Sequence, residues 1–245
     1  MPRRSIPVKR LLFAFLLLTV AAACAVQRPL YDTEALKAAY MAAVKDAETA
    51  EPHEICRDLV AIVPCSSDLV WRHAEGADPL VLVVTWTDYR GYDDKVGQQM
   101  VLGREVWVTT VPEVRQFAGQ INGDPALRLE QLLGLPPHSG KTRFVELWVK
   151  PGDLFRPSAD PEISDHESEL DFPVSSRFVS VSPSHKDWYN RLKQVSYGEQ
   201  GYPWTRLGYT YDWGRDDHIG LSEFVVAKGA VVTVHSVTPT ARYGH

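Results

Sequence analysis

The chain has 245 residues, a formal net charge of −5, 44% hydrophobic and 23% charged residues. That length suits one large domain behind a short leader. An acidic balance, with no basic stripe beyond the leader to neutralise phosphates, argues against a nucleic-acid partner.

Residues 1–23 read as a removable signal peptide. Basic Arg3, Arg4, Lys9 and Arg10 come first, the apolar run Leu11 to Val20 follows, and Ala21, Ala22 and Ala23 lead to Cys24. That is the order of an export signal. The uncharged run from Leu11 to Val26 is shorter than the ~20 apolar residues that cross a bilayer. Loss of the four basic residues takes the formal charge from −5 to −9.

The stretch VAAAC ending at Cys24 resembles the lipobox of bacterial lipoproteins. The resemblance implies acylation of Cys24, a membrane partner reached through the lipid, and a cell-envelope location facing the periplasm or exterior. Ala25 stands where aspartate would mark inner-membrane retention, so it further implies outer-membrane sorting if the source is Gram-negative. Plain cleavage after Ala23 or Ala25 is the alternative. With Cys24 given to lipid, Cys56 and Cys65 remain as an even pair in CRDLVAIVPC, and an oxidising compartment lets them join. The small ring would contribute on the order of 2.5 to 3 kcal/mol. His53 and Glu54 lie nearby, but the spacing of a zinc site is missing, and no metal or cofactor is expected.

Asp32 to Ala50 has helical spacing, with Leu36, Tyr40, Val44 and Ala47 on one face, Asp32 or Thr33 as cap and Pro52 at the end. Residues 24–51 thus form an anchor and amphipathic helix ahead of a globular domain, 52–245. Leu80 to Thr87, LVLVVTWT, predicts a strand covered on both faces. Val106 to Val111 predicts another, passing into a short helix at Pro112. Asp124-Pro125 opens a helix ending near Gly134, and Phe144 to Val149 is a third strand. The loop GLPPHSGKT between them lacks the glycine spacing and flanking elements of a phosphate loop.

Residues 151–173 carry Asp160, Glu162, Asp165, His166, Glu167, Glu169 and Asp171 without the glycine turn of an EF-hand, and read as a solvated acidic loop. Ser184 to Val195 predicts a helix capped by Ser184. The C-terminal part reads as two β-branched strands turning at Lys228-Gly229. The expected fold is α+β: a single domain with a mixed or mainly antiparallel sheet, several flanking helices and a C-terminal β-hairpin.

The segment Tyr202 to His218 concentrates the chemistry. Trp204, Arg206, Tyr209, Tyr211 and Trp213 are the candidate ligand-binding residues, since aromatic faces with polar tips suit a lined cleft. Asp212 and Glu223 are the candidate catalytic carboxylates, a pair of the kind glycoside cleavage uses. Signatures of serine hydrolases and zinc proteases are absent. LSEFVVAKGAVVTVHSV, within residues 219–237, resembles the last catalytic hairpin of ADP-ribosyltransferase-like domains. That resemblance implies that Glu223 is the carboxylate steadying a ribosyl oxocarbenium-like state. Three expectations follow: a cleft for a polar ligand such as glycan or peptide, a glycosidic-bond-cleaving enzyme using Glu223, or an envelope scaffold with all its aromatics in the core.

Overall fold

The computed structural model describes residues 33–64, 66–175 and 180–245. The leader, Cys24 and Cys65 lie outside the described residues, and so does any Cys56–Cys65 bridge; Cys56 itself is half-buried. The described residues fall in one compact unit, Asp32–His245. No helix among them is long and apolar enough to cross a membrane.

The elements run α1 (Thr33–Asp46), β1 (Trp71–Arg72), β2 (Leu80–Thr87), β3 (Gln99–Val101), β4 (Val106–Thr110), α2 (Val111–Ala118), α3 (Pro125–Leu132), β5 (Arg143–Val149), β6 (Leu154–Phe155), α4 (Pro183–Ser196), β7 (Tyr209–Tyr211), β8 (Ile219–Val226) and β9 (Val231–Pro239). The fold is α+β, as expected, and every strand pair is antiparallel. The sheet order is β3-β9-β5-β2-β4-β8-β6, with β1 against β2 and β7 against β8. Both ends of this path are strands of two or three residues, too short to template pairing with another chain.

The expected hairpin is not formed. Residues 227–230 do turn tightly, with the Ala230 N–H donating to the Ala227 carbonyl at 3.2 Å and Gly229 at φ +91°. Yet β8 pairs with β4, β6 and β7, whereas β9 pairs with β3 and β5. Three strands separate β8 from β9 in the sheet order, roughly 19 Å in a flat sheet, whereas a tight turn spans under about 7 Å. The sheet must therefore curl until its far parts meet at this turn.

Alternation along the strands assigns the two faces. Val81, Val83, Val108, Val145, Leu147, Phe224, Val226, Val232 and Val234 share one core cluster on the inner face. Leu82, Val84, Trp86, Phe144 and Trp148 point the other way and pack with Val111, Val114 and Ala118 of α2 and Leu129 of α3. With a side-chain period of two, Trp107, Thr109 and Glu223 fall on this second, helix-covered face.

Helix ends follow their local chemistry. Asp124 caps α3, its carboxylate accepting the Ala126 N–H at 3.0 Å. The cap of α4 is Ser182, which accepts the His185 N–H at 3.2 Å; Ser184, the expected cap, lies inside the first turn because Pro183 takes the first helical position. α1 stops short of Ala50 because the Arg206 guanidinium takes the carbonyls of Ala47 and Glu48, at 3.4 and 2.8 Å, a cationic cap on a helix C-terminus.

The loop that mimics a phosphate loop is closed by the protein's own anion. Glu130, 4% exposed, accepts the backbone N–H of His138 at 3.0 Å and of Ser139 at 2.6 Å, along with the Ser139 hydroxyl at 3.0 Å. A carboxylate thus occupies the amides an external anion would need.

Candidate functional site

A cavity of about 410 Å³ lies on the helix-covered face of the sheet. Its floor is built from β2, β5, β4 and β8 through Val84, Trp86, Phe144, Trp107, Thr109 and Glu223. Val114 of α2, residues 133–135 after α3, and Leu192 and Ser196 of α4 form its walls. Tyr202, Pro203, Trp204, Thr210 and Tyr211 complete it, with Lys141 also on its lining. Tyr202 is 53% exposed and marks the side open to solvent.

Short contacts hold these walls together. The Thr210 hydroxyl donates to the Leu132 carbonyl at 2.6 Å and accepts the Leu221 N–H at 2.9 Å, stitching the end of α3 to β7 and β8. Gly134, at φ +61°, passes so close to β7 that a Cβ there would meet the Tyr211 carbonyl oxygen at 3.3 Å. The Phe144 ring stacks on Tyr243 at 4.0 Å and lies 5.9 Å from Trp86. The floor is therefore a packed aromatic surface.

Glu223 is the exception in that surface. Thr109 lies opposite it in β4, and its backbone N–H donates to Gly208 O at 2.9 Å. Among the described residues its carboxyl has no hydrogen-bond or ionic partner. It lies deep among protein atoms yet keeps some accessible surface, because what it faces is the cavity. Burial alone pushes its carboxyl from the ordinary 4.5 up to about 8.

The residues singled out by the sequence divide into two sets. Glu223, Trp204 and Tyr211 meet at the cavity. Asp212 does not line it: with no exposed surface, its two carboxylate oxygens accept from Arg128 at 2.9 and 2.5 Å. Arg206, at φ +62°, is buried and spent on the end of α1. The Tyr209 hydroxyl donates to Glu54 O at 2.9 Å, and the Trp213 indole donates to Leu135 O at 3.0 Å while lying edge-on to Tyr40 at 6.0 Å. The Tyr211 hydroxyl donates to Asp46 at 2.8 Å. Burial holds the Tyr209 and Tyr211 phenols well above their usual range.

Sequence reasoning missed Trp86, Trp107, Phe144, Ser196 and Lys141. Strand alternation places Val84 with Trp86 and Trp107 with Thr109, but only the pairing of β2, β4 and β8 brings them beside Glu223. The acidic segment also has a centre that its composition conceals. Arg156, 0% exposed, donates to the carbonyls of Glu162 and Asp165 at 2.9 Å each and lies 3.5 Å from the Asp165 carboxylate. Among the described residues, no group of three or more His, Cys, Asp and Glu is arranged to hold a metal ion. Comparison with known protein families, with characterised proteins and with solved structures finds no match to this chain.

Proposed function

We propose that this protein is an exported, lipid-anchored envelope protein, attached through Cys24, whose interior cavity binds a small organic ligand with Glu223 as its polar contact. The supporting observation is the unpartnered carboxyl facing a cavity of about 410 Å³. Leaving a buried polar group unmatched costs about 1–3 kcal/mol, and a ligand that meets it recovers that cost. A mainly apolar enclosure with a few directed polar groups is the usual form of a small-molecule site. It suits a compact ligand better than an extended glycan or peptide, which needs more polar partners than these walls supply.

Tryptophan fluorescence tests the reading, because Trp86, Trp107 and Trp204 line the cavity. Titration of the mature protein with the neutral apolar probe N-phenyl-1-naphthylamine is expected to quench this emission saturably. Val84→Phe, which fills the floor, is expected to abolish the effect while the protein stays folded by circular dichroism. Equal quenching in both proteins would sink the proposal.

General-acid catalysis by Glu223 is the second reading, favoured by a carboxyl pushed up to about 8, which still carries its proton at neutral pH. On the ADP-ribosyltransferase-like resemblance, the substrate bond would be N-glycosidic. Incubating wild type and Glu223→Gln with NAD and following nicotinamide release tests it; equal turnover, or none by wild type, removes it. Asp212 is not a partner in this reading, since Arg128 holds it outside the cavity.

A further inference from the structure

The groups turned away from the cavity indicate the charge of its occupant. The indole N–H of Trp86 donates to Thr240 Oγ1 at 2.8 Å and that of Trp204 to Pro157 O at 2.9 Å. Neither ring has a donor left for a ligand. The Ser196 hydroxyl donates to Leu192 O at 2.8 Å, and the Thr210 hydroxyl is fully engaged. Lys141, the one cation on the lining, is paired with Asp88 at 2.8 Å. What remains is ring surface, the Trp107 indole N–H, the Thr109 hydroxyl and one carboxyl. The rings and the carboxyl complement positive charge, and among the described lining residues no free cationic group awaits an anion.

We propose that the cavity takes a protonated amine on an apolar body, its N–H groups meeting the Glu223 carboxylate and its hydrocarbon part lying against Trp86, Trp107 and Phe144. This rests on the small-molecule reading above. Burial holds Glu223 protonated up to about pH 8. An ammonium ligand therefore displaces that proton to solvent: R–NH₃⁺ and the carboxylic acid become the ion pair plus one released H⁺. Below about pH 8, affinity should rise close to tenfold per pH unit and level off above it. A neutral ligand accepting a hydrogen bond from the protonated acid gives the opposite profile, flat at first and falling above that point.

The other titratable groups on the packed elements are engaged or exposed: Glu146 of β5 accepts from Arg115 of α2, Ser236 and Tyr243. Glu113 of α2, also raised by burial, accepts the Thr110 hydroxyl at 2.6 Å. On α3, Glu130 holds the 138–139 amides and Arg128 holds Asp212. The Tyr211 phenol is bonded to Asp46, and the Tyr202 phenol lies at the open side. Arg191 and Lys193 of α4 are exposed to solvent.

The test is calorimetric titration of the mature protein with phenethylamine, neutral 2-phenylethanol and anionic phenylacetate, in buffers of differing ionisation enthalpy. The amine is expected to bind tightest and to release about one proton near pH 6.5 and none near pH 9. Glu223→Gln should weaken the amine about 100-fold while leaving 2-phenylethanol within about threefold, and Glu113→Gln should keep the wild-type pH profile. If 2-phenylethanol binds as well as the amine, or if Glu223→Gln leaves amine affinity unchanged, the charge assignment is overturned and the small-molecule reading stands. If none of the three binds and N-phenyl-1-naphthylamine also fails, both readings fall together.

Discussion

Asp212 and Arg128 form a two-point ion pair in which the Asp212 side chain has no exposed surface and the Arg128 side chain keeps 24% of its own. Asp212 also accepts the Gly214 N–H at 3.0 Å, so one side chain ties α3 to the turn after β7. Replacing Asp212 with Asn leaves Arg128 half-sequestered without its counter-charge. The expected loss is about 2–4 kcal/mol of unfolding free energy by urea titration, with part regained in the Arg128→Met, Asp212→Asn double variant. Ligand affinity should change little, since neither residue lines the cavity.

Glu223 links stability to pH with a definite sign. Its carboxyl titrates near the ordinary 4.5 when unfolded and at about 8 when folded. Its contribution is therefore fully present below about pH 4.5 and is lost as pH rises through about 8, because the unfolded chain gives up the proton first. Up to about 5 kcal/mol is at stake across that window. Urea titrations at pH 5 and pH 8.5 should show wild type losing stability relative to Glu223→Gln. Parallel pH profiles would contradict the assignment. Glu113, Asp165 and Glu169, also raised by burial, act in the same direction and cancel in this comparison.

Glu130 fixes the loop that supplies Leu135 and Lys141 to the cavity. Glu130→Ala orphans two backbone donors and should cost about 1–3 kcal/mol. Amide hydrogen exchange at His138 and Ser139 is expected to speed up well before that of β2 or β5. Unchanged protection at both amides would mean that the carboxylate does not hold the loop.

On the proposed anchoring through Cys24, Cys24→Ala is expected to abolish labelling by a radioactive fatty acid and to move the protein from the membrane to the soluble fraction, since residues 24–245 carry a formal charge of −9 and gain nothing from an anionic lipid surface. In the same material, thiol labelling after denaturation without reductant should find neither Cys56 nor Cys65 reactive.

Much of the sheet and its helices was legible because their signals are local. LVLVVTWT is β2 residue for residue, and Asp124-Pro125 starts α3 with its side chain on the amides that cap chemistry requires. Partner choice was not local. The turn at 227–230 has the chemistry of a hairpin, but turn residues fix a change of direction only; β8 has β4 on one edge and β6 and β7 as its other partners, and β9 lies between β3 and β5. The aromatic segment misled for a related reason. The polar tips of Tyr209, Trp213 and Arg206 resemble ligand contacts until backbone carbonyls at Glu54, Leu135 and Glu48 are seen to take them.

The position of β9 has a consequence for biogenesis. It lies between β3 and β5 and pairs with residues roughly 90 positions earlier. Until residues 231–239 pair, β3 has no partner strand and β5 shows a bare edge. Contacts of such long range form slowly. Closure of the sheet therefore waits on this pairing, and a chain caught before it offers the edge of β5 to other chains.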